Sequence, residues 1–224
     1  MGNPMNEAFG DQLQPTRRKI LLALKKHGGL TAAELAGMLG ITSMGIRRHL
    51  TTLERDKLVG YELVQRGKGR PSYVYRLSEQ AENLFPKNYA AVANELLGYV
   101  ASEQGPEMVI NLFDQRAQRR INSAQAQLEG KLLAERVDGL ARILSNEGYL
   151  AEWEQEDEDT FWLREHNCAV HDIAEVFSAA CDSELTFLQT VLANAYVTRE
   201  HHMMDGELMC AYRIQRRQED EPSV

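Results

Sequence analysis

The stretch that most constrains the fold runs from Thr31 to Lys57, TAAELAGMLGITSMGIRRHLTTLERDK, and predicts two short helices joined by a tight turn. Thr31 and Glu34 have the spacing of a capping box, in which each residue satisfies a free amide at the helix start. Gly40 can adopt the left-handed conformation that ends a helix. The apolar residues of the first helix recur at the spacing of one buried face, Leu35, Met38 and Leu39.

The second helix of this stretch is expected to begin at Thr42 or Ser43 and to present two different faces. Its inward face is apolar and holds Ile46, Leu50 and Leu53. Its outward face is polar and basic near the helix start and holds Ser43, Met44, Arg47 and Arg48. Such a helix suits docking in a DNA major groove, with Ser43, Met44 and Arg47 as candidates for base contacts. An ordinary helical hairpin with a solvated face is the simpler alternative.

Two strand patterns, Val59–Val64 and Ser72–Leu77, follow the helix pair and enclose a basic loop. The loop sequence QRGKGRP is too long for a two-residue turn, and its cations are Arg66, Lys68 and Arg70. Cations at the tip of a hairpin can contact DNA phosphates. The order helix, helix, basic helix and basic hairpin predicts a winged helix-turn-helix domain over residues 16–86, with double-stranded operator DNA as its partner.

Charge is divided unequally along the chain. Residues 1–78 contain 13 Lys and Arg against 6 Asp and Glu, whereas residues 79–224 contain 12 against 27. This division indicates a nucleic-acid-binding module joined to an acidic module with a different role. No apolar run approaches the roughly 18 residues of a membrane span, and the N-terminus lacks the pattern of a secretory signal. We therefore expect a cytoplasmic protein with no membrane partner.

The predicted fold class is α+β, with distinct regions on either side of the winged domain. Residues 1–15 are expected to form a flexible arm, and residues 215–224 a disordered tail. Helical periodicity over residues 87–147 predicts a helical linker or dimerisation region, because winged-helix proteins commonly address two half-sites as a symmetric homodimer. Short strand and helix patterns over residues 148–214 predict a small α+β domain that senses a cofactor.

All three cysteines, Cys168, Cys181 and Cys210, lie in this last domain, together with four of the six histidines. An odd number of cysteines in a cytoplasmic chain argues against a framework of disulfides. Buried apolar cysteines without a ligand are the simplest alternative. Three thiolates and an imidazole could bind zinc or ligate an iron–sulfur cluster. The spacing leaves both open, although the lack of Cys-x-x-Cys pairs favours a cluster.

The dipeptide Asp205-Gly206 predicts a hairpin with a two-residue turn. That register places His201 directly opposite Cys210 on one face of the hairpin. His201 is therefore predicted as the fourth ligand of the metal or cluster. His202 points to the opposite face in this register and is expected to take no part.

The segments TAAELAGMLGITSMGIRRHLTTLE, GRPSYVYRLS, GYLAEW, EHNCAV and GELMCAY together resemble SufR-like bacterial transcription regulators, sometimes grouped with DeoR- or ArsR-type winged-helix proteins. The resemblance covers most of residues 16–214. It implies a homodimeric repressor that carries a [4Fe-4S] cluster and controls an operon for cluster assembly. It also implies that Cys168, Cys181 and Cys210 are ligands. A further ligand position of that family falls on Ala195, whose side chain cannot ligate.

Two other functions fit parts of the sequence. A winged-helix regulator could sense zinc, thiol redox state or a small molecule on the same scaffold. A cysteine-dependent enzyme could use Cys168 with His166 or His171 as its base. The chain contains no Gly-rich phosphate loop, nucleophile elbow or paired-histidine metal motif. We therefore predict that the protein is not an enzyme.

Overall fold

A computed structural model describes residues 13–65 and 70–217. The chain forms two compact units, Met1–Lys87 and Asn88–Val224. The predicted α+β class, with an N-terminal winged domain and a small C-terminal sheet, is confirmed. Within the two described stretches, every helix is too short or too polar to cross a bilayer.

The first unit combines short helices with a three-stranded sheet. Its helices are α1 (Pro15–His27), α2 (Ala32–Leu39), α3 (Ser43–Arg55) and α4 (Glu79–Glu82), and its strands are β1 (Leu30–Thr31), β2 (Val59–Val64) and β3 (Ser72–Leu77). The strands are antiparallel in the order β1-β3-β2. Residues 1–12 of the predicted flexible arm lie outside the described part of the chain, and α1 begins at Pro15.

The capping signals of the helix pair are confirmed. Thr31 Oγ1 accepts a hydrogen bond from the Glu34 amide at 3.2 Å, and the Glu34 carboxylate accepts one from the Thr31 amide at 2.7 Å. Gly40 ends α2 with a φ of 67°. The Thr42 hydroxyl then accepts a hydrogen bond from the Gly45 amide at 3.1 Å and caps α3. Local polar contacts therefore fix where each helix begins and ends.

The core of the first unit is built from one apolar face each of α1, α2 and α3 and from β1 and β2. Its buried residues are Ile20, Leu21, Leu24, Leu30, Ala32, Leu35, Ile46, Leu50, Leu53 and Val59. Burial of Met38 is a wrong prediction, because this side chain is 51% exposed. At about 100° per residue, the buried face of α2 centres between Leu35 and Leu39 and leaves Met38 at its edge.

The second unit packs helices against a four-stranded antiparallel sheet. Its helices are α5 (Tyr89–Gln104), α6 (Pro106–Leu128), α7 (Leu133–Asn146), α8 (His171–Ala174) and α9 (Ala179–Val191). Its strands are β4 (Ala151–Gln155), β5 (Thr160–Glu165), β6 (Ala195–His201) and β7 (Cys210–Arg216). The strand order is β4-β5-β7-β6.

One hydrophobic core joins α6, α7 and α9 to the sheet. Residues from both predicted regions, 87–147 and 148–214, contribute to this core, for example Ile121, Leu140 and Phe187. The prediction of a disordered tail from Gln215 is wrong at its start, because Gln215 pairs with Thr160 and Tyr196 inside the sheet. Residues 218–224 lie outside the described stretches.

Candidate functional site

The outward face of α3 is open to solvent. Ser43, Met44, Arg47 and Arg48 are all exposed, and Met44 is 69% exposed. Neither arginine forms an ion pair with any residue in the described ranges. The first two turns of α3 therefore present two guanidinium groups without an ion-pair partner in the described ranges, beside a polar and an apolar side chain, as a groove-reading helix requires.

The predicted wing is a regular antiparallel hairpin. Its register runs from Val59 opposite Leu77 to Val64 opposite Ser72. Arg70 is exposed at the start of the returning arm. Arg66 and Lys68, the other predicted phosphate contacts, lie outside the described residues. The two strands of the predicted wing are thus paired along their full length.

Removal of two wing cations should weaken binding to all DNA sequences. Each lost phosphate contact is expected to reduce the slope of log K against log salt by about 0.9, so Lys68→Ala/Arg70→Ala should flatten the salt dependence by up to twice that amount. The measurement is a salt titration of DNA binding by fluorescence anisotropy. Arg142→Ala is a matched control, because Arg142 is an exposed cation of the second unit. An unchanged slope in the double variant would remove the wing from the interface.

The second unit brings the three predicted cysteine ligands to one small cavity. Cys168 lies in the loop after β5, Cys181 in the first turn of α9, and Cys210 at the start of β7. All three thiols are free. The cavity is also lined by polar side chains that the sequence did not suggest, Tyr149, Glu165, Glu184, His202 and Tyr212.

The cavity is poorly solvated, and burial raises the pKa of all three thiols. The pKa of Cys181 and that of Cys210 each rise to about 11, and that of Cys168 also rises. The thiols interact with one another, since Cys168 contributes to the rise at Cys181 and at Cys210. Without a bound cation they are therefore protonated near neutral pH, and ligation must displace their protons.

Backbone amides and one cation oppose the rise in thiol pKa. The Met203 amide donates a hydrogen bond to Cys210 Sγ at 3.4 Å, and the Val170 amide donates one to Cys168. The positive charge of Arg199 lowers the pKa of Cys181. Amide hydrogen bonds to sulfur are among the interactions that tune thiolate ligands of iron–sulfur clusters. These contacts partly offset the effect of burial on the thiol pKa values.

Three polar atoms of residues that line this cavity are buried and have no hydrogen-bond partner among the described residues. They are Tyr149 Oη, Glu165 Oε1 and His202 Nε2. Glu165 is only 3% exposed, and burial, reinforced by Glu184, raises its pKa well above the usual range. Buried polar groups are nearly always paired. Their concentration around three thiols indicates a site for a bound group.

The predicted two-residue hairpin turn is wrong. A 3-10 turn at Met203–Asp205 and a bulge between Arg199 and His201 shift the register, so that His201 pairs with Ala211 and not with Cys210. The His201 side chain is 52% exposed, and its Nδ1 lies 2.6 Å from the Glu207 carboxylate. His202, predicted to point away, lines the cysteine cavity. A one-residue shift exchanges the faces of a strand, and that shift was not visible in the sequence.

A second group of possible ligands is exposed. Among the described residues, His171, Asp172 and Glu175 bring ligand atoms within 4.8 Å of one another. The three thiols of the cavity are compatible with zinc and with an iron–sulfur cluster.

The loop that carries Cys168 also contacts α5, the first helix of the second unit. Asn94 Nδ2 donates a hydrogen bond to the Asp172 carbonyl at 2.7 Å. Tyr89, Ala90 and Ala93 form one wall of a groove whose other wall is residues 168–173. The Cys168 loop and α5 are therefore in direct contact within the second unit.

Residues 13–59 match the family described as winged helix-turn-helix DNA-binding. Solved structures that resemble the chain include the YusO protein from Bacillus subtilis, at 24% identity over 55% of this chain and 82% of that one, with a TM-score of 0.32. They also include adhesin competence repressor (AdcR) from Streptococcus pyogenes, at 15% identity over 63% and 84%, with a TM-score of 0.30. Bacillus subtilis PadR in complex with operator DNA has 14% identity over 79% and 99%, with a TM-score of 0.29. A search of curated proteins returned no match.

Proposed function

We propose that this winged helix-turn-helix DNA-binding transcription regulator is a repressor whose second unit binds an iron–sulfur cluster, of the [4Fe-4S] type, through Cys168, Cys181 and Cys210. The observation that carries the proposal is the convergence of these cysteines, from three separate elements, on one dry cavity with unpartnered polar atoms. The resemblance to SufR-like regulators extends the proposal to control of genes for cluster assembly.

The residues around the cavity would hold and tune the cofactor in distinct ways. When bound, an iron–sulfur cluster supplies a redox-active group whose stability depends on its ligands and on solvent access. The Met203 and Val170 amides stabilise negative charge on two of the sulfurs. Arg199 adds a positive charge near the third. Zinc is the alternative cofactor for the same thiols, and the lack of Cys-x-x-Cys pairs, which are typical of zinc ribbons, favours the cluster.

Contact between the Cys168 loop and α5 supplies a route from cofactor to DNA-binding unit. Because Asn94 is hydrogen-bonded to the loop at Asp172, the position of Cys168 biases the position of α5. A cofactor can shift the protein between two conformations only if it binds one of them more tightly than the other. Here the two conformations would differ in the contact between the Cys168 loop and α5. Gain or loss of the cofactor would then change how the recognition helices of a dimer address their half-sites.

We further propose a homodimer that is formed through α5. No residue of α5 is buried within the described chain. Val92, Leu96 and Tyr99 lie on one face of the helix and are 48%, 59% and 58% exposed. The polar surface of α6 is a weaker alternative, because the apolar residues Ala117, Ile121 and Ala124 of that helix are already buried in the core of their own chain.

Leu96→Asp should dissociate the dimer, because it places a charge in the centre of an apolar interface. Sedimentation velocity over a range of concentrations measures the change from dimer to monomer. Gln104→Glu adds the same charge at the exposed end of α5 and should leave the dimer intact. A wild-type chain that sediments as a monomer, or a Leu96→Asp variant that remains dimeric, would contradict this interface.

The cluster proposal is tested by anaerobic purification followed by assays of iron, acid-labile sulfide and zinc and by visible absorption. We expect about four irons and four sulfides per chain and no stoichiometric zinc. DNA sites are then selected from random duplexes with the loaded protein and with the metal-free protein. Different affinities of the two forms for the selected site support cofactor sensing. Stoichiometric zinc without sulfide, or equal affinities, would contradict it.

A further inference from the structure

We infer that His202 Nε2 is the fourth protein ligand of the cofactor site, and that His201 is not. The inference deepens the proposed cluster function and rests on it. The His202 ring has one buried nitrogen beside the cavity and a carboxylate close to its other nitrogen.

The two nitrogens of His202 have different surroundings. Nε2 is buried, belongs to a residue that lines the cysteine cavity, and has no hydrogen-bond partner among the described residues. Nδ1 lies 3.3 Å from the Asp205 carboxylate. A carboxylate on one ring nitrogen fixes the tautomer and leaves the lone pair on the other nitrogen, which is the arrangement of metal-bound histidines. The side chain is 19% exposed, so little water competes for that lone pair.

The backbone between β6 and β7 explains why His202 has this position. The bulge after Arg199 breaks the alternation of the strand, and the 3-10 turn starts directly after His202. The same turn directs the Met203 amide onto Cys210 Sγ. His202 is therefore attached to the segment that already contacts one of the cysteine ligands. His201, by contrast, is half exposed and engaged by Glu207.

Glu165 is the competing candidate for this ligand. It lies directly opposite Cys210 in the sheet, and its Oε1 is also buried without a partner. However, the Glu165 carboxyl already hydrogen-bonds to Tyr212. Glu165 is thus better suited to a hydrogen bond beside the cofactor, and its variant belongs in the test.

The test compares His202→Ala, His201→Ala and Glu165→Gln with wild-type protein, each reconstituted anaerobically with ferrous iron and sulfide. The wild-type result tests the proposed function separately from the ligand. If wild-type protein takes up no iron and sulfide, the cluster proposal is refuted, whatever the variants show. Given uptake by wild-type protein, the variants decide the ligand. The readouts are iron and sulfide content, the rate of bleaching in air, and nitrogen couplings in pulsed electron paramagnetic resonance of the reduced cofactor.

We expect His202→Ala alone to lose the histidine nitrogen coupling and to bleach in air at least tenfold faster. His201→Ala should match wild-type protein in both readouts. His202→Cys should restore slow bleaching without the nitrogen coupling, which separates loss of a ligand from damage to the fold. Retention of the coupling in His202→Ala, its loss in His201→Ala, or wild-type spectra lacking any histidine coupling would overturn the assignment. Loss of slow bleaching only in Glu165→Gln would assign the ligand to Glu165.

Discussion

Cys210→Ser should reduce the iron and sulfide content of the anaerobically reconstituted protein to near zero. Cys210 is 8% exposed and is the first residue of β7, so its sulfur is held by the sheet as well as by the Met203 amide. A serine hydroxyl fits the same space but does not provide a thiolate, which is the ligand that iron–sulfur clusters require. The effect should be larger than at His202, because a strand start cannot move to bring another side chain into place.

Loss of the cofactor should leave the DNA-binding unit folded. The core of that unit, including Leu35 and Leu50, contains no residue of the cysteine cavity. We therefore expect Cys210→Ser to retain a separate cooperative unfolding transition for residues 13–87 and weak, salt-dependent DNA binding. Thr198→Ser, on the neighbouring strand and outside the cavity, is the matched control for a small substitution. Full cofactor content in Cys210→Ser, or loss of the first unit's transition, would contradict this division of roles.

Arg120→Met should destabilise the second unit by about 3–5 kcal/mol, because it removes one partner of a buried ion pair. The Arg120 guanidinium donates hydrogen bonds to Glu184 at 2.8 and 3.1 Å, and Glu184 is 4% exposed. The same guanidinium bridges to Glu147 and lies 4.1 Å from the centre of the Phe187 ring. Methionine preserves most of the packing but leaves a buried carboxylate without its cation.

Chemical denaturation followed by tryptophan fluorescence measures this effect, since both tryptophans lie in the second unit. Arg142→Met is the control, because Arg142 pairs with Asp138 on the surface and is 76% exposed. We expect Arg142→Met to lower the free energy of unfolding by less than about 1 kcal/mol. Addition of Glu184→Gln to Arg120→Met should recover part of the loss. Equal costs for Arg120→Met and Arg142→Met would show that burial of the Glu184 pair does not control stability.

The DNA-binding unit was largely predictable because its signals are local. The capping box at Thr31 and the left-handed conformation of Gly40 involve only residues close in sequence. The three buried residues of α3 follow from the 3.6-residue repeat of a helix. Met38 was misplaced because the width of a buried face depends on which neighbours cover it. The bounds of α6 were also predictable, since Pro106 and Gly105 mark its start.

The cysteine site was predictable in composition but not in detail. Cysteines and histidines concentrated in one segment were sufficient to propose ligands. The choice between His201 and His202 depends on a bulge and a 3-10 turn that no local pattern announces. Asp205-Gly206 alone favours a two-residue hairpin turn. The hydrogen bond from the Met203 amide to Cys210 Sγ instead accompanies the 3-10 turn at Met203–Asp205. Glu165 reaches the cavity only through the pairing of β5 with β7, which is a long-range property of the sheet.

The separation of the cysteines along the chain has a consequence for the lifetime of the protein. A cofactor held by all three would act as a cross-link, closing one loop from Cys168 to Cys181 and another from Cys181 to Cys210. Closure of loops of this length removes about 3 kcal/mol of chain entropy each from the unfolded ensemble, by analogy with disulfides. Loss of the cofactor would return that entropy and raise the population of opened chains that proteases degrade. Iron supply would then set how long each regulator persists, in addition to what it binds.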